Sequence, residues 1–159
     1  MSFKQGIFLG LGANLGNPWR QFEEALRGMA PDILVRETSS YYQSRALGPS
    51  QPDFLNAVIR VETALTPEDL LSRLQKIELG VGRRETYRWG PRVLDLDLLL
   101  YKGEERPGPR LILPHPLMLT RRFVLEPLYE IAGNGQLGPR KSLLYYLNQC
   151  WEQVCEKTV

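Results

Sequence analysis

The stretch LDLDLLLY, from Leu94 to Tyr101, constrains the fold more tightly than any other. A run this rich in leucine reads as a strand inside a core, yet Asp95 and Asp97 interrupt it. Residues two apart on a strand share a face. Both carboxylates therefore point one way, while Leu94, Leu96 and Leu98 bury the other. Val93, Leu99 and Tyr101 flank the aspartates, which leaves their face partly apolar too. Two like charges side by side resist desolvation and raise each other's pKa. Something must offset them.

The remaining elements alternate irregularly. Gln5–Gly12 reads as a strand. Asn17 is a helix N-cap with Pro18 at the first helical position, and Trp19, Phe22, Leu26 and Met29 recur as an apolar stripe. Ile33–Ser44 reads as a strand bent at Ser39–Ser40. Phe54–Thr63 alternates, with Leu55, Ala57, Ile59 and Val61 inward and Asn56, Arg60 and Glu62 outward, the pattern of a half-buried strand. Thr66 caps a second helix, with Pro67, Glu68 and Asp69 in its first turn and Gly80 as its stop. Arg121–Gly133 reads as a short helix that Pro127 interrupts or restarts. Ser142–Val154 reads as a final amphipathic helix. Strands with a polar face favour α+β, with helices on a mostly antiparallel sheet, over a doubly wound parallel sheet. With 159 residues, a single domain over 1–159 is expected.

A net charge of +2 is too small to argue for a nucleic-acid partner. Cys150 and Cys155, five apart on the expected helix, diverge and fit neither a disulfide framework nor a zinc pattern. Free thiols in a reducing compartment are the default. With no secretory leader and no apolar run that spans a bilayer, a cytoplasmic location is expected.

Four features bear on chemistry. GLGANLG, Gly10–Gly16, approaches G-x-G-x-x-G, but its third glycine falls one residue late. It reads as a tight turn needing glycine dihedrals. No G-x-x-x-x-G-K-[ST] occurs, which excludes a P-loop. Carboxylates at i and i+2, as in Asp95 and Asp97, suit a hard cation such as Mg²⁺, which takes one or two carboxylates plus phosphate oxygens. Around them stand Arg83, Arg84, Arg88, Arg92, Arg110, Arg121 and Arg122, and guanidinium groups beside such a cation suit a polyphosphate. Any one arginine taken singly is better explained by a solvated surface; the combination carries the reading. A lone histidine is more often structural than catalytic; His115, set rigidly between two prolines, also suits a phosphate or base contact. Phe54, Trp89 and Phe123 lie at element boundaries, placed either for peripheral packing or for stacking a flat heteroaromatic ring.

The segment RWGPRVLDLDLLLY resembles the signature of the 6-hydroxymethyl-7,8-dihydropterin pyrophosphokinase family of folate biosynthesis. LGLGANLGNP, YYQSRALGPSQPDFLNAVIRVET, LQKIELGVGR, LILPHPLM and RFVLEPLYEIA follow the family's order, so the resemblance covers nearly the whole chain. It implies a three-layer α-β-α, ferredoxin-like fold and transfer of pyrophosphate from ATP to the pterin's hydroxymethyl oxygen, with release of AMP. Asp95 and Asp97 would hold two Mg²⁺ ions bound with ATP. Arg83, Arg84 and Arg92 match loop arginines that close over the transferring group. Arg110, His115 and Arg121 match contacts to the ATP phosphates, and Gln75, Glu78 and Leu98 match residues near the adenosine. Phe54 and Phe123 would sandwich the pterin, Ser44 and Asn56 would bond its edge, Trp89 would cover it and Leu47 would line its pocket. The loops Ala46–Asp53 and Arg83–Arg92 would act as lids. A monomer is implied, with no nucleic-acid or membrane partner.

Some positions depart from the family pattern: Phe54 for Tyr, Ser44 for Thr, Arg45 for Pro and Pro116 for Tyr. No side chain is an obvious general base; Asp97 or a water on the metal are the candidates. The competing reading is a ferredoxin-like nucleotide- or RNA-binding module without catalysis, which would need aromatics in mid-strand on the sheet face.

Overall fold

Residues 5–46, 50–82, 91–137 and 141–158 are described by the structure, a computed structural model. Among them the chain runs β1 (Ile7–Ala13), α1 (Pro18–Met29), β2 (Ile33–Thr38), β3 (Tyr42–Ser44), β4 (Phe54–Thr63) and α2 (Pro67–Val81). It continues through β5 (Asp95–Tyr101), the small hairpin of β6 (Arg106–Pro107) and β7 (Ile112–Leu113), α3 (Arg122–Ala132), α4 (Leu143–Gln149) and β8 (Cys155–Lys157). The main sheet has the order β5-β1-β4-β3-β8, with β2 also pairing β4, and each of these pairings is antiparallel.

Helices cover both faces, so the fold is a three-layer α+β sandwich. On one face, Phe22, Ala25 and Met29 of α1 and Leu70, Leu74 and Ile77 of α2 pack on Leu9, Leu11, Ile59 and Leu96. On the other, Val124, Leu125 and Leu128 of α3 and Leu143 and Leu147 of α4 pack on Phe8, Val58, Leu99 and Leu100. Local chemistry places the first two helices. The Asn17 side chain accepts from the Arg20 N–H, and the Thr66 side chain accepts from the Asp69 N–H, each beside a proline at the helix start.

Several local expectations give way to tertiary context. β4 is not half-buried: Asn56 and Val58 are buried as well, because α3 covers the face that α1 and α2 leave open. In α1 the stripe is shifted, with Gln21 and Ala25 buried and Trp19 largely exposed. Ile33–Ser44 is two strands, both paired with β4, with the break after Thr38. The second helix runs through Gly80 and stops at Gly82, whose φ of 115° only glycine adopts readily and whose N–H reaches Glu78 O at 3.2 Å. α3 is continuous through Pro127, which is buried; the second core holds the helix across the one backbone hydrogen bond a proline removes. The final helix ends at Gln149, and Cys155 lies in a strand, since β3 offers an open edge to which Cys155–Lys157 pairs.

The β1–β5 register carries an irregularity between Phe8 and Leu9, where Phe8 faces Leu100 and Leu9 faces Leu98. Leu99 is thus an extra residue. Leu99 and Leu100 both enter the α3/α4 core, and Tyr101 turns to the opposite face rather than flanking the aspartates.

Candidate active site

Gly10 and Gly12 of β1 pair with Asp97 and Asp95 on one side and with Val58 and Asn56 on the other. Neither glycine serves a turn. Within this motif only Gly16 has a positive φ, at 71°. A Cβ on Gly12 would meet Asn56 Oδ1 at 3.5 Å and Phe54 Cδ1 at 3.8 Å, and one on Gly10 would meet Leu99 Cδ1 at 3.5 Å. The two missing side chains leave a floor between the carboxylates of β5 and the aromatic end of β4. Above it opens a cavity of about 390 Å³.

At one end the cavity is lined by Ser44, Phe54, Asn56 and Phe123. The Asn56 Nδ2 donates to Ser44 Oγ at 2.8 Å and to Tyr42 O at 3.2 Å, which turns Oδ1 toward Gly12. A fixed acceptor thus lies on the floor beside an aromatic face, an arrangement that reads the edge of a flat heterocycle. Arg45 stands at the rim, and Phe123, in the first turn of α3, lies 5.5 Å below the Arg121 guanidinium.

At the other end stand Asp95, Asp97, Arg92, His115 and Arg121. Arg92 Nε is 3.9 Å from Asp95 Oδ2, and His115 Nε2 is 3.9 Å from Asp97 Oδ1. Burial, seconded by the Arg121 charge, pushes His115 down to about 4, so its contact with Asp97 is not an ion pair at neutral pH. The Leu117 N–H points at His115 Nδ1 at 3.3 Å, which assigns the imidazole proton to Nε2, aimed into the cleft. Burial lowers the Arg121 pKa while Asp97 and Asp95 hold it up, and the guanidinium remains charged.

The cavity reaches over the outer edge of β5 to Leu71, Gln75 and Glu78 of α2. Glu78 is buried, and its Oε2 accepts the Leu96 N–H at 2.7 Å. Leu98 and Arg110 do not line the cavity: Leu98 is buried in the α1/α2 core, and Arg110 is exposed, donating to Ser72 Oγ. Leu47, Arg83, Arg84, Arg88 and Trp89 lie outside the described residues, as do 47–49 of the first expected lid and 83–90 of the second. Sequence reasoning passed over Gly10, Gly12, Leu71 and Leu117 as lining. A G-x-G inside a strand, opposite two aspartates, was the signal for the glycines.

Asp95 and Asp97 fit a divalent hard cation. They offer two carboxylate donors on one strand face, both partly exposed, with Gly12 and Gly10 opposite them on β1. Among the described residues no cluster of three or more His, Cys, Asp or Glu could hold a metal. Two carboxylates with phosphate and water completing the shell is the Mg²⁺ pattern rather than an all-protein cage.

Residues 8–133 match the family model for 7,8-dihydro-6-hydroxymethylpterin-pyrophosphokinase. The 2-amino-4-hydroxy-6-hydroxymethyldihydropteridine pyrophosphokinase of Haemophilus influenzae is 45% identical over 130 residues, 80% of this chain and 81% of that protein. The Pseudomonas aeruginosa protein of the same name is 42% identical over 149 residues, 92% of each chain. A crystal structure of an HPPK-DHPS in complex with substrates superposes with a TM-score of 0.69 at 12% identity, covering 91% of this chain and 43% of that one. The fold is therefore shared with less than half of that larger chain. On the match to the family model and to these relatives, the chain belongs to the 7,8-dihydro-6-hydroxymethylpterin-pyrophosphokinase family.

Proposed function

We propose that the cleft transfers the pyrophosphoryl group of ATP to the hydroxymethyl oxygen of 6-hydroxymethyl-7,8-dihydropterin, giving AMP and the pterin diphosphate in folate biosynthesis. The observation that carries this reading is the shared floor: Asp95 and Asp97 stand on the same sheet face as Phe54 and Asn56, with only Gly10 and Gly12 between them. Anion chemistry and flat-ring chemistry thereby lie on one sheet face with a single strand, β1, between them.

Phe54 and Phe123 hold the pterin between them, while Asn56 Oδ1 and Ser44 meet its polar edge. Gln75 and Glu78 line the nucleotide side, and Arg92, His115 and Arg121 face its phosphates. Leu47, Trp89, Arg83 and Arg84 belong to the same proposal on sequence grounds. Asp95 and Asp97 would hold two Mg²⁺ ions that come with ATP; when bound, these offset phosphate charge and polarise the group in transfer. The hydroxymethyl oxygen forms a bond to the β-phosphorus, the bond from that phosphorus to the α,β-bridging oxygen breaks, AMP leaves with that oxygen, and the hydroxyl proton passes to Asp97 or to water. Such a transfer asks the protein mainly for alignment and charge stabilisation. His115, neutral with its proton on Nε2, donates to a phosphate oxygen without adding charge, and Arg92 and Arg121 supply fixed positive charge.

Among the described residues no helix is long and apolar enough to cross a membrane. The proposal extends to a monomer acting in the cytoplasm without nucleic-acid or membrane partners, and the free, buried thiols of Cys150 and Cys155 support a reducing compartment. The test is AMP release from ATP plus 6-hydroxymethyl-7,8-dihydropterin with Mg²⁺. One AMP per pterin diphosphate is expected; no reaction, or ADP in its place, overturns the reading.

A further inference from the structure

We propose that Gln153 is a positioning residue of the cleft: from the C-terminal segment it caps α3 remotely and so fixes Arg121 and Phe123, the two cavity-lining side chains that flank Arg122. This rests on the functional reading above. α1, α2 and α4 each begin with a local side-chain cap, from Asn17, Thr66 and Ser142. α3 begins at Arg122 with no such cap, because the residue before it is Arg121. An arginine side chain has no acceptor, so the orphan N–H groups of this first turn need one from elsewhere. Gln153 supplies it from 31 residues away, its Oε1 accepting the Arg122 N–H at 2.9 Å. Its Nε2 donates to Thr120 O at 2.8 Å. One planar amide thus grips the backbone on both sides of Arg121.

The clamp is reciprocal. Arg122 Nη1 donates to Trp151 O and to Gln153 O, both at 2.9 Å, and its Nε donates to Glu126 Oε2 at 3.2 Å. The same guanidinium lies 4.3 Å from the centre of the Trp151 ring. Gln153 is itself held in a turn, its N–H donating to Cys150 O at 3.1 Å, and two residues further on Cys155 pairs with Ser44. The amide is therefore anchored to α4 on one side and to the main sheet on the other. Arg122 does not line the cavity; its neighbours do, Arg121 toward the carboxylate end and Phe123 toward the ring end. A shift of the backbone at 121–123 misplaces a phosphate contact and a stacking ring together. Gln153 lies beyond the segment 8–133 that matches the family model, so this brace comes from outside it.

The experiment compares Gln153→Ala with Ser142→Ala, which removes the local cap of α4, a helix whose residues do not line the cavity. Both should lower the melting temperature to a similar, small extent. In Gln153→Ala the kcat for AMP release should fall about tenfold or more with the KM for ATP within about threefold, the split expected when alignment is lost. Affinity for 6-hydroxymethylpterin, titrated with Mg²⁺ and a saturating non-hydrolysable ATP analogue, should weaken about fivefold as the ring contact loosens. Ser142→Ala should stay within about twofold of wild type in each of these. Gln153→Glu keeps the acceptor for the Arg122 N–H and loses the donor to Thr120 O. Its kcat should fall between those of wild type and Gln153→Ala, and it decides the matter if the Ala variant does not fold. Wild-type kcat and pterin affinity in the deciding variant overturn the proposal, as do losses of equal size in Ser142→Ala. A wild type that releases no AMP overturns the functional reading itself, and the proposal with it.

Discussion

The Glu78 carboxylate accepts the Leu96 N–H at 2.7 Å, on the one residue that separates Asp95 from Asp97. β5 is an edge strand of the main sheet, so α2 supplies the acceptor that no neighbouring strand provides there. A hydrogen bond to a charged acceptor contributes about 1.5–3 kcal/mol. Glu78→Ala should therefore lower unfolding free energy by about 2 kcal/mol in urea titrations, and Glu78→Gln, which keeps an acceptor, by roughly half that. The Ala variant should also bind the nucleotide less tightly than the Gln variant.

His115 makes stability depend on pH. Its folded pKa is pushed down to about 4, below the 6.5 of an unhindered imidazole, so between those values the unfolded chain binds the extra proton. The contribution is complete above pH 6.5 and is lost as pH falls toward 4. In the absence of nucleotide, wild type should lose about 2 kcal/mol more than His115→Gln between pH 7 and pH 5. Parallel pH profiles of the two proteins, measured by urea unfolding, would contradict this.

Gly12 sits under the aromatic end of the floor, and a Cβ there makes only ordinary contacts, 3.5 Å to Asn56 Oδ1 and 3.8 Å to Phe54 Cδ1. Gly12→Ala should fold with little change. Gly12→Leu should fill the space before the pterin arrives, weakening 6-hydroxymethylpterin binding by about tenfold or more, a loss on the order of 1.4 kcal/mol. Its affinity for the ATP analogue should fall far less. Calorimetric titration of each ligand separates the two effects.

Metal removal should abolish the reaction. Chelation with excess EDTA should bring AMP release to background, and added Mg²⁺ should restore it. Two carboxylates alone hold Mg²⁺ weakly. Millimolar Mg²⁺ without nucleotide should accordingly leave the melting temperature within about 1 °C, whereas Mg²⁺ with an ATP analogue should raise it by several degrees.

What the chain discloses locally, it disclosed well. The caps at Asn17 and Thr66 are short-range hydrogen bonds, and the period-two placement of Asp95 and Asp97 needs only strand geometry. What depends on distant partners was hidden. Pro127 is tolerated because a second core grips α3 on both sides of it, and Ser142–Val154 is cut short because Cys155 finds the edge of β3. Gly10 and Gly12 looked like turn residues from their position between a strand and a helix. Their reason lies across the sheet, in Asp97, Asp95, Asn56 and Phe54. Gln153 carries no sequence signal at all, since its partners Arg122 and Thr120 lie 31 and 33 residues away.

The extra residue at Leu99 has an electrostatic consequence. It sets two leucines, Leu99 and Leu100, on the carboxylate face of β5 just beyond Asp97, where regular pleating allows one. Behind the aspartates the medium is therefore hydrocarbon, with low permittivity, while the cavity mouth is open to water. Field lines from the two carboxylates are expelled from such a wall and crowd toward the mouth. A cation approaching from solvent meets a stronger and longer-reaching attraction than two aspartates on an open sheet would exert, and the irregular pleat thereby acts as a lens.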